Sequence, residues 1–332
     1  MNMTLLFPGQ GSQQPGMGRF LFDNFAIAKL MFEEASEALS QNMKKLCFEG
    51  SESDLALTEN TQPALLLVST ATQRILRSEY PIQVTSAAGH SIGEYSALVA
   101  ANVLEFAPAM KAVRTRGQAM QSAVPVGEGG MIAALGLDPA QAQFLCNFVV
   151  QQSGFGPLSP ANYNCPGQIV LSGSTQAIEW LKTNYKPEIF PDPPKRAKLI
   201  PLNVSAPFHC EMMLPAEEKM REVLTEIPFR SPEFKIVQNF TAQMENKVEA
   251  LRENLIRQVS APVRWTESME LLKAQNQTSC IECGVGKVIA GLVKKIDPEA
   301  FIVLSTNSLE DLKLIEVFLK ASSQKNARAE NP

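Results

Sequence analysis

The sequence predicts an α/β protein into which a smaller α+β unit is inserted, and three observations support this. Residues 82–88 form an apolar, strand-like run that passes through a glycine turn into a helix-like run at 94–101. Short strand and helix patterns alternate between Gly127 and residue 204. Longer apolar patterns then resume, which indicates that the middle segment interrupts a larger domain.

The chain begins with a predicted buried strand at residues 4–7, followed by a glycine-rich loop from Pro8 to Gly16. This loop resembles a dinucleotide fingerprint but lacks its third glycine, because Gln14 stands at that position. Its backbone N–H groups could instead face an anion or an oxyanion. Helical periodicity follows over residues 25–57, and another helix is expected to start at Gln62, with Pro63 in its first turn.

The predicted insert comprises residues 128–204. Strands are expected at 131–135, 168–172 and 197–204, helices at 139–151 and 177–185, and one more strand near Asn162. Residues 1–127 and 205–321 would form the larger domain. Residues 187–194 contain four prolines and predict an irregular, exposed loop, and the small, polar tail at 322–332 is predicted to be disordered.

Composition excludes several classes of function. A net charge of -4 and the lack of basic clusters interleaved with aromatic residues argue against nucleic acid as a partner. We expect a cytoplasmic protein without a membrane anchor, because no secretion signal or membrane-spanning run is found. The six cysteines are interpreted as reduced thiols. Cys280 and Cys283 lack further ligands for a metal, so two buried thiols are favoured over a metal or redox site.

The sequence Gly89-His90-Ser91-Ile92-Gly93 lies between the predicted strand and helix described first. In a nucleophile elbow, such a turn lifts the serine hydroxyl off the end of the sheet, and the glycines allow strained backbone angles and close packing. The alternative is an ordinary glycine turn before a helix. Ser91 is therefore a candidate nucleophile that needs a base elsewhere in the chain.

The chain contains two histidines, His90 and His209. His90 adjoins Ser91, and neighbouring side chains diverge on an elbow, so His209 is the better base by elimination. The alternative for His209 is a structural or helix-capping role. An ordinary esterase is disfavoured, because its acid and its histidine would follow the serine in that order, with the histidine near the C-terminus. A backbone carbonyl could hold the imidazole tautomer instead.

Arg116 belongs to a helical pattern that follows the elbow. Most arginines are solvated surface charges, and this is one interpretation. The other is a planar fork that pairs with a substrate carboxylate.

Several segments together resemble the malonyl-CoA:acyl carrier protein transacylase family over nearly the whole chain. They are residues 7–13 (FPGQGSQ), 61–64 (TQPA), 89–95 (GHSIGEY), 162–168 (NYNCPGQ), 257–265 (RQVSAPVRW) and 284–288 (GVGKV), together with Arg116 and His209. The resemblance implies an α/β-hydrolase-like core domain with an inserted ferredoxin-like subdomain. Residues 187–194 look like an extra loop relative to the family.

The resemblance also implies a role for each matching residue. Ser91 would be the nucleophile, His209 the base and Arg116 the group that binds the malonyl carboxylate. The N–H groups of Gln10 and Ile92 would form the oxyanion hole, and the Gln258 carbonyl would orient His209. Further positions expected near the substrate are Gln62, His90 and Asn162.

The implied activity is transfer of a malonyl group from malonyl-CoA to the phosphopantetheine thiol of acyl carrier protein. Fatty acid synthesis is favoured as the pathway, and polyketide synthesis is the alternative. We expect no permanently bound cofactor. We also expect the protein to be a monomer. Phe208 favours malonyl over methylmalonyl, because it leaves little room for an α-methyl group. A serine thioesterase or hydrolase and a non-catalytic carrier-protein-binding scaffold are the alternatives.

Acyl carrier proteins are generally acidic, so this negatively charged chain needs a local basic docking surface. The candidates are Lys195, Arg196, Lys198, Lys287, Lys294 and Lys295. The alternative is that these are only solvated surface charges.

Overall fold

The protein folds around two sheets of different type. The computed structural model describes residues 2–194, 196–204 and 206–329. Within these residues no helix has both the length and the hydropathy needed to cross a bilayer. The mixed α/β character expected from the sequence is confirmed.

The larger sheet has six strands in the described residues. They are β1 (Asn2–Phe7), β2 (Gln83–Gly89), β7 (Lys235–Val237), β8 (Met244–Glu245), β9 (Ser279–Glu282) and β10 (Ile302–Leu304). Their order is β10-β9-β1-β2-β7-β8, and all neighbours are parallel except β7 and β8. β1 and β2 lie at the centre, so the turns that follow Phe7 and Gly89 emerge side by side at the carboxyl edge of the sheet.

The smaller sheet is antiparallel and is built from β3 (Gly129–Leu135), β4 (Leu158–Cys165), β5 (Gln168–Ser174) and β6 (Lys198–Pro201), in the order β4-β5-β3-β6. The strand expected near Asn162 is β4. Helices α8 (Pro139–Ser153) and α9 (Thr175–Asn184) pack on one face through residues such as Leu145 and Leu181. Met131 and Val170 belong instead to the core of the larger unit.

The other helices belong to the larger unit. They are α1 (Arg19–Asn24), α2 (Ala26–Leu39), α3 (Met43–Glu49), α4 (Glu52–Ala56), α5 (Thr58–Glu79), α6 (Gly93–Ala100), α7 (Phe106–Ser122), α10 (Leu214–Glu226), α11 (Val248–Arg257), α12 (Trp265–Ala274), α13 (Val288–Ile296) and α14 (Leu309–Ala329). α5 and α7 pack closely together and carry two of the polar side chains that face Ser91.

The turn between β2 and α6 has no room for side chains at its glycines. A Cβ on Gly89 would lie 2.0 Å from the carbonyl group of Gly93, and a Cβ on Gly93 would lie 2.3 Å from the Phe7 oxygen. Ser91 itself has a positive φ of 51°. These are the strained, close-packed conditions of a nucleophile elbow, so the sharp turn expected from the sequence is present.

α5 starts earlier than expected, at Thr58 rather than next to Pro63. A proline inside a helix leaves the carbonyl four residues before it without its N–H partner. Here that carbonyl belongs to Glu59, and the Arg114 guanidinium donates to it at 3.1 Å. A side chain from a distant part of the sequence therefore permits the extra helical turn.

Two predicted irregular segments contain helix. Residues 187–189 form a short 3₁₀ helix inside the proline-rich loop. α14 continues through Ala329, where we expected disorder from residue 322. Alanine, lysine, arginine and glutamine are good helix formers, and no glycine or proline interrupts them before Pro332. Residues 330–332 lie outside the described residues.

Candidate active site

Ser91 lies in a cavity of about 180 Å³ between the two sheets. The cavity is lined by Gln10, Gln62, His90, Ser91, Arg116, Met120, Met131, Asn162, Asn164, Val170, Leu202, Val204, Phe208 and His209. Both units therefore contribute to one site. It contains every predicted site residue except Ile92, Gln258 and the docking candidates.

Ser91 and His209 are in hydrogen-bond contact, with 2.8 Å between Ser91 Oγ and His209 Nε2. His209 Nδ1 lies 2.8 Å from the Gln258 main-chain oxygen. A carbonyl oxygen can only accept a hydrogen bond, so Nδ1 carries the proton and Nε2 presents its lone pair to the Ser91 hydroxyl. In this tautomer His209 can take a proton from Ser91 without rearrangement.

The environment keeps His209 neutral. Its side chain is buried, and burial together with the positive charge of Arg116 lowers the pKa of the imidazole from 6.5 to about 3. The Gln258 carbonyl opposes this shift, because it stabilises the Nδ1 proton. At neutral pH the imidazole is therefore free to accept a proton.

Arg116 is completely buried, on α7, and its guanidinium points at the site. Nη1 donates to Gln62 Oε1 at 2.9 Å, and Nη2 donates to Gln258 Oε1 at 2.9 Å and to Ser91 Oγ at 3.3 Å. Its Nε–H has no hydrogen-bond partner among the described residues, and none of their carboxylates forms a salt bridge with it. A buried cation with a spare donor beside a serine hydroxyl can bind an anionic ligand group.

Asn239, which sequence reasoning missed, holds the elbow in shape. Its Oδ1 accepts from the Ser91 N–H at 2.7 Å, and its Nδ2 donates to the Gly89 oxygen at 2.7 Å. Asn239 follows β7, the strand beside β2. A polar residue just after the carboxyl end of an interior strand is the only signal that could have pointed to it.

The other predicted residues occupy distinct places around Ser91. His90 Nε2 lies 2.8 Å from Asn164 Oδ1 and makes no hydrogen bond to Ser91, so His209 is the histidine that contacts the serine hydroxyl. Gln10 and Asn162 line the cavity. The backbone N–H groups of Gln10 and Ile92 have no hydrogen-bond partner among the described residues and are available to an oxyanion.

The basic residues predicted for docking come from two stretches of sequence, 195–198 and 287–295. Contacts through the small sheet bring Lys198 and Lys295 to the same region. Lys295 Nζ donates to Gln168 Oε1 at 3.2 Å. Gln168 pairs with Leu135, which pairs on its other side with Lys198. Two strand spacings, about 10 Å, thus separate Lys198 from the residue that Lys295 contacts. Arg196, Lys287 and Lys294 are exposed, and Lys195 lies outside the described residues.

All six cysteines are free and buried, including Cys280 and Cys283. Burial raises the pKa of Cys280 to about 12, which favours an inert thiol. The described residues contain no group of three or more histidine, cysteine, aspartate or glutamate side chains that could hold a metal ion.

Comparison with known proteins identifies the family of this chain. Residues 4–291 match the family model of the acyl transferase domain. The chain belongs to the acyl transferase family. The malonyl CoA-acyl carrier protein transacylase of Bacillus subtilis strain 168 is 42% identical over 327 residues, which cover 98% of this chain and 99% of the relative. The Escherichia coli K12 protein of the same name is 40% identical over 293 residues, 88% of this chain and 92% of its own.

Solved structures of the family have the same fold. FabD from Acinetobacter baumannii has a TM-score of 0.89 at 37% identity and covers 96% of this chain and 98% of its own. A malonyl-transacylase solved in complex with a type II PKS acyl-carrier protein has a TM-score of 0.86 at 38% identity and covers 94% of this chain and 98% of its own. The overall fold of this chain is thus the one found in solved structures of the family.

The low pKa of His209 predicts a pH effect on stability. The unfolded chain binds a proton at this histidine below pH 6.5, whereas the folded chain does so only near pH 3, so His209 lowers stability as the pH falls through that window. His209→Gln removes this contribution. Urea unfolding should show the variant gaining about 1 kcal/mol relative to wild type between pH 6.5 and pH 5.5.

Above pH 7 the difference in unfolding free energy between the two proteins should not change with pH, which provides the internal control. Parallel stability profiles from pH 7.5 down to pH 5 would show that the folded protein does not depress this pKa.

Proposed function

We propose that this enzyme transfers a malonyl group from malonyl-CoA to the phosphopantetheine thiol of acyl carrier protein through a malonyl ester of Ser91. The observation that carries the proposal is the 3.3 Å contact between Ser91 Oγ and Arg116 Nη2, because it puts a nucleophile next to a receptor for a carboxylate. A receptor at this distance fits a short acyl group that ends in a carboxylate. Similarity to named transacylases over most of the chain supports the same reaction.

In the first half-reaction, Ser91 Oγ attacks the thioester carbonyl carbon while its proton passes to His209 Nε2. The negative charge that develops on the carbonyl oxygen is stabilised by the N–H groups of Gln10 and Ile92, and one such donor is worth about 3 kcal/mol of the barrier. The carbon–sulfur bond then breaks. Coenzyme A leaves as a thiol with the proton from His209, and a malonyl ester remains on Ser91.

In the second half-reaction, the phosphopantetheine thiol gives its proton to His209 Nε2 and attacks the ester carbonyl. The same two N–H groups stabilise the second tetrahedral intermediate. Ser91 Oγ leaves and takes the proton back from His209, which restores the free enzyme and releases the malonyl thioester of the carrier protein. The Gln258 carbonyl keeps the imidazole in one tautomer throughout.

Arg116 accounts for selection of the acyl group. A carboxylate placed beside its Nε–H and Nη groups would be paired in a buried site, whereas an acetyl group would leave the buried guanidinium without an anion. Gln62 fixes the guanidinium from one side and Gln258 from the other. His90 and Asn162 line the remaining polar wall. Phe208 also lines the cavity and favours malonyl over methylmalonyl.

We also propose that the fold consists of an α/β-hydrolase-like core and a ferredoxin-like insert. The mostly parallel larger sheet with its elbow after β2 supports an α/β-hydrolase-like core of residues 1–127 and 205–321. The insert at 128–204 runs β-α-β-β-α-β with strand order β4-β5-β3-β6, which supports a ferredoxin-like subdomain.

The biological setting is likewise proposed. We assign the enzyme to the cytoplasm and to fatty acid synthesis, where it would act as a monomer without a resident cofactor. Its six free thiols suit a reducing compartment. For docking of an acidic carrier protein we propose the surface formed by Lys195, Arg196, Lys198, Lys287, Lys294 and Lys295.

Incubation with malonyl-CoA tests the reaction. We expect one malonyl group per chain, located on Ser91 by peptide mass spectrometry, and none in Ser91→Ala. Addition of acyl carrier protein should then discharge the ester faster than water does. Discharge to water alone would favour the hydrolase alternative, and the absence of any acyl-enzyme would favour a non-catalytic scaffold.

Removal of the guanidinium tests selectivity. Arg116→Ala should slow malonyl transfer to Ser91 by about a hundredfold, because a charge-assisted contact to the carboxylate is lost, while acetyl transfer persists or rises. Rates with malonyl-CoA and acetyl-CoA are compared in the same preparation.

Lys111→Ala is the matched control for Arg116→Ala. Lys111 lies on the same helix, and its side chain is exposed. Its replacement should leave the ratio of malonyl to acetyl transfer unchanged. Equal loss of both transfers in Arg116→Ala would contradict the assignment of Arg116 to the carboxylate.

Charge reversal tests the docking surface. Lys294→Glu/Lys295→Glu should raise KM for acyl carrier protein about tenfold at low salt, and added salt should reduce this effect. Formation of the acyl-enzyme from malonyl-CoA should not change. Lys111→Glu/Lys313→Glu makes the same change in net charge at other exposed positions and should leave KM unchanged. If both double variants behave alike, Lys294 and Lys295 do not take part in docking.

A further inference from the structure

Glu94 is a buried carboxylate that the reaction steps above do not use. It lies three residues after Ser91, in the first turn of α6, and its relative exposure is 0%. The positive end of the helix dipole favours a negative charge at this position, but burial raises the pKa of the Glu94 carboxyl to about 7. An acid in so unfavourable a place needs partners that stabilise its charge.

Among the described residues, the hydrogen-bond partners of the Glu94 carboxylate are all donors. Gln238 Nε2 donates to Oε1 at 3.1 Å. The Asn239 N–H and Gln258 Nε2 donate to Oε2 at 2.8 and 2.9 Å. Three donors and no acceptor match the ionised carboxylate, which can only accept.

The Gln258 side chain connects Glu94 to Arg116. Its Nε2 faces Glu94 and also donates to the Ser91 oxygen at 3.0 Å, and its Oε1 accepts from Arg116 Nη2 at 2.9 Å. A guanidinium can only donate and a carboxylate can only accept. The reversed amide would set an oxygen against the carboxylate and an NH₂ group against the guanidinium. Glu94 and the Ser91 oxygen therefore both select the one orientation of the amide that supports Arg116.

This connection also places a negative charge one amide away from Arg116. A carboxylate in direct contact with Arg116 would occupy the donors that a ligand needs. Glu94 instead stabilises the buried guanidinium through the Gln258 amide, and the two charges each favour the ionised form of the other. The Nε–H of Arg116 stays without a partner among the described residues.

We propose that Glu94 is a positioning residue that fixes the Gln258 amide and thereby holds Arg116 open to the carboxylate of the acyl group. This inference rests on the proposed function. It assigns to Glu94 an effect on the choice of acyl group rather than on the chemistry at Ser91.

The variant Glu94→Gln tests the inference in the full-length chain. A glutamine at this position can donate or accept, so it no longer selects one orientation of the Gln258 amide, and the Ser91 oxygen remains as the acceptor for Nε2. We expect the preference for malonyl-CoA over acetyl-CoA in acylation of Ser91 to fall about tenfold. The change should come from a higher KM for malonyl-CoA, with acetyl transfer and kcat nearly unchanged.

Glu282→Gln is the matched control. Glu282 is also a buried carboxylate, and it accepts from the backbone N–H groups of Ile289 and Ala290, with no contact to Gln258 or Arg116 among its hydrogen bonds. Its replacement removes a buried charge of the same kind and should leave the malonyl preference at the wild-type value.

If Glu94→Gln does not fold, a second variant tests whether the Gln258 amide sets the malonyl preference. Gln258→Leu keeps the main-chain carbonyl that holds His209 but removes the amide, and it should lower the malonyl preference to a similar extent. In the double variant the preference should fall no further, because Glu94 acts through that amide.

Three results would overturn the proposal. The first is an equal loss of malonyl and acetyl transfer in Glu94→Gln, and the second is a wild-type preference in Gln258→Leu. The third is that wild-type Ser91 is not acylated by malonyl-CoA at all. Only the third also refutes the proposed function, so the two failures are distinguishable.

Discussion

The contact between the elbow after β2 and the chain after β1 is the constraint on which the site depends. Gly93 lies so close to the Phe7 oxygen that a Cβ would be 2.3 Å from it, and a Cβ on Gly9 would lie 2.7 Å from the His90 oxygen. The His90 N–H donates to the Phe7 oxygen at 3.0 Å. The two loops thus meet backbone to backbone beside Ser91, and glycine is the residue that allows so close an approach.

A neutral hydrogen-bond acceptor suits this site better than the acid of an ordinary triad. A carboxylate behind His209 would also attract Arg116, whose guanidinium lies beside the same serine. The Gln258 carbonyl holds the Nδ1 proton without adding a full charge. The same residue presents its side-chain amide to Arg116 and Glu94. Gln258 thus contacts both His209 and Arg116, through its main-chain oxygen and its side-chain amide, without adding a charge to the site.

Residues identifiable from the sequence are those whose signal is local or whose residue type is scarce. Ser91 stands in a short glycine pattern, and His209 is one of two histidines. Glu94 and Asn239 were not identified from the sequence, because they contact each other across 145 residues of sequence and no local pattern indicates such a contact. The early start of α5 has a similar cause, since the donor that compensates for Pro63 is Arg114. Element types were predictable from periodicity, whereas their ends depend on such distant partners.

The small size of the cavity at Ser91 limits how much of each acyl carrier, coenzyme A or acyl carrier protein, can enter it. A space of about 180 Å³ is below the range of roughly 300–1,000 Å³ that encloses a whole small ligand. The acyl group and the end of a pantetheine arm can enter, but a nucleotide or a folded protein must stay outside. In the proposed reaction, the ester on Ser91 therefore contains only the acyl group and no part of the coenzyme A that delivered it. Because both carriers offer the same kind of thiol, the direction of net transfer follows their relative supply.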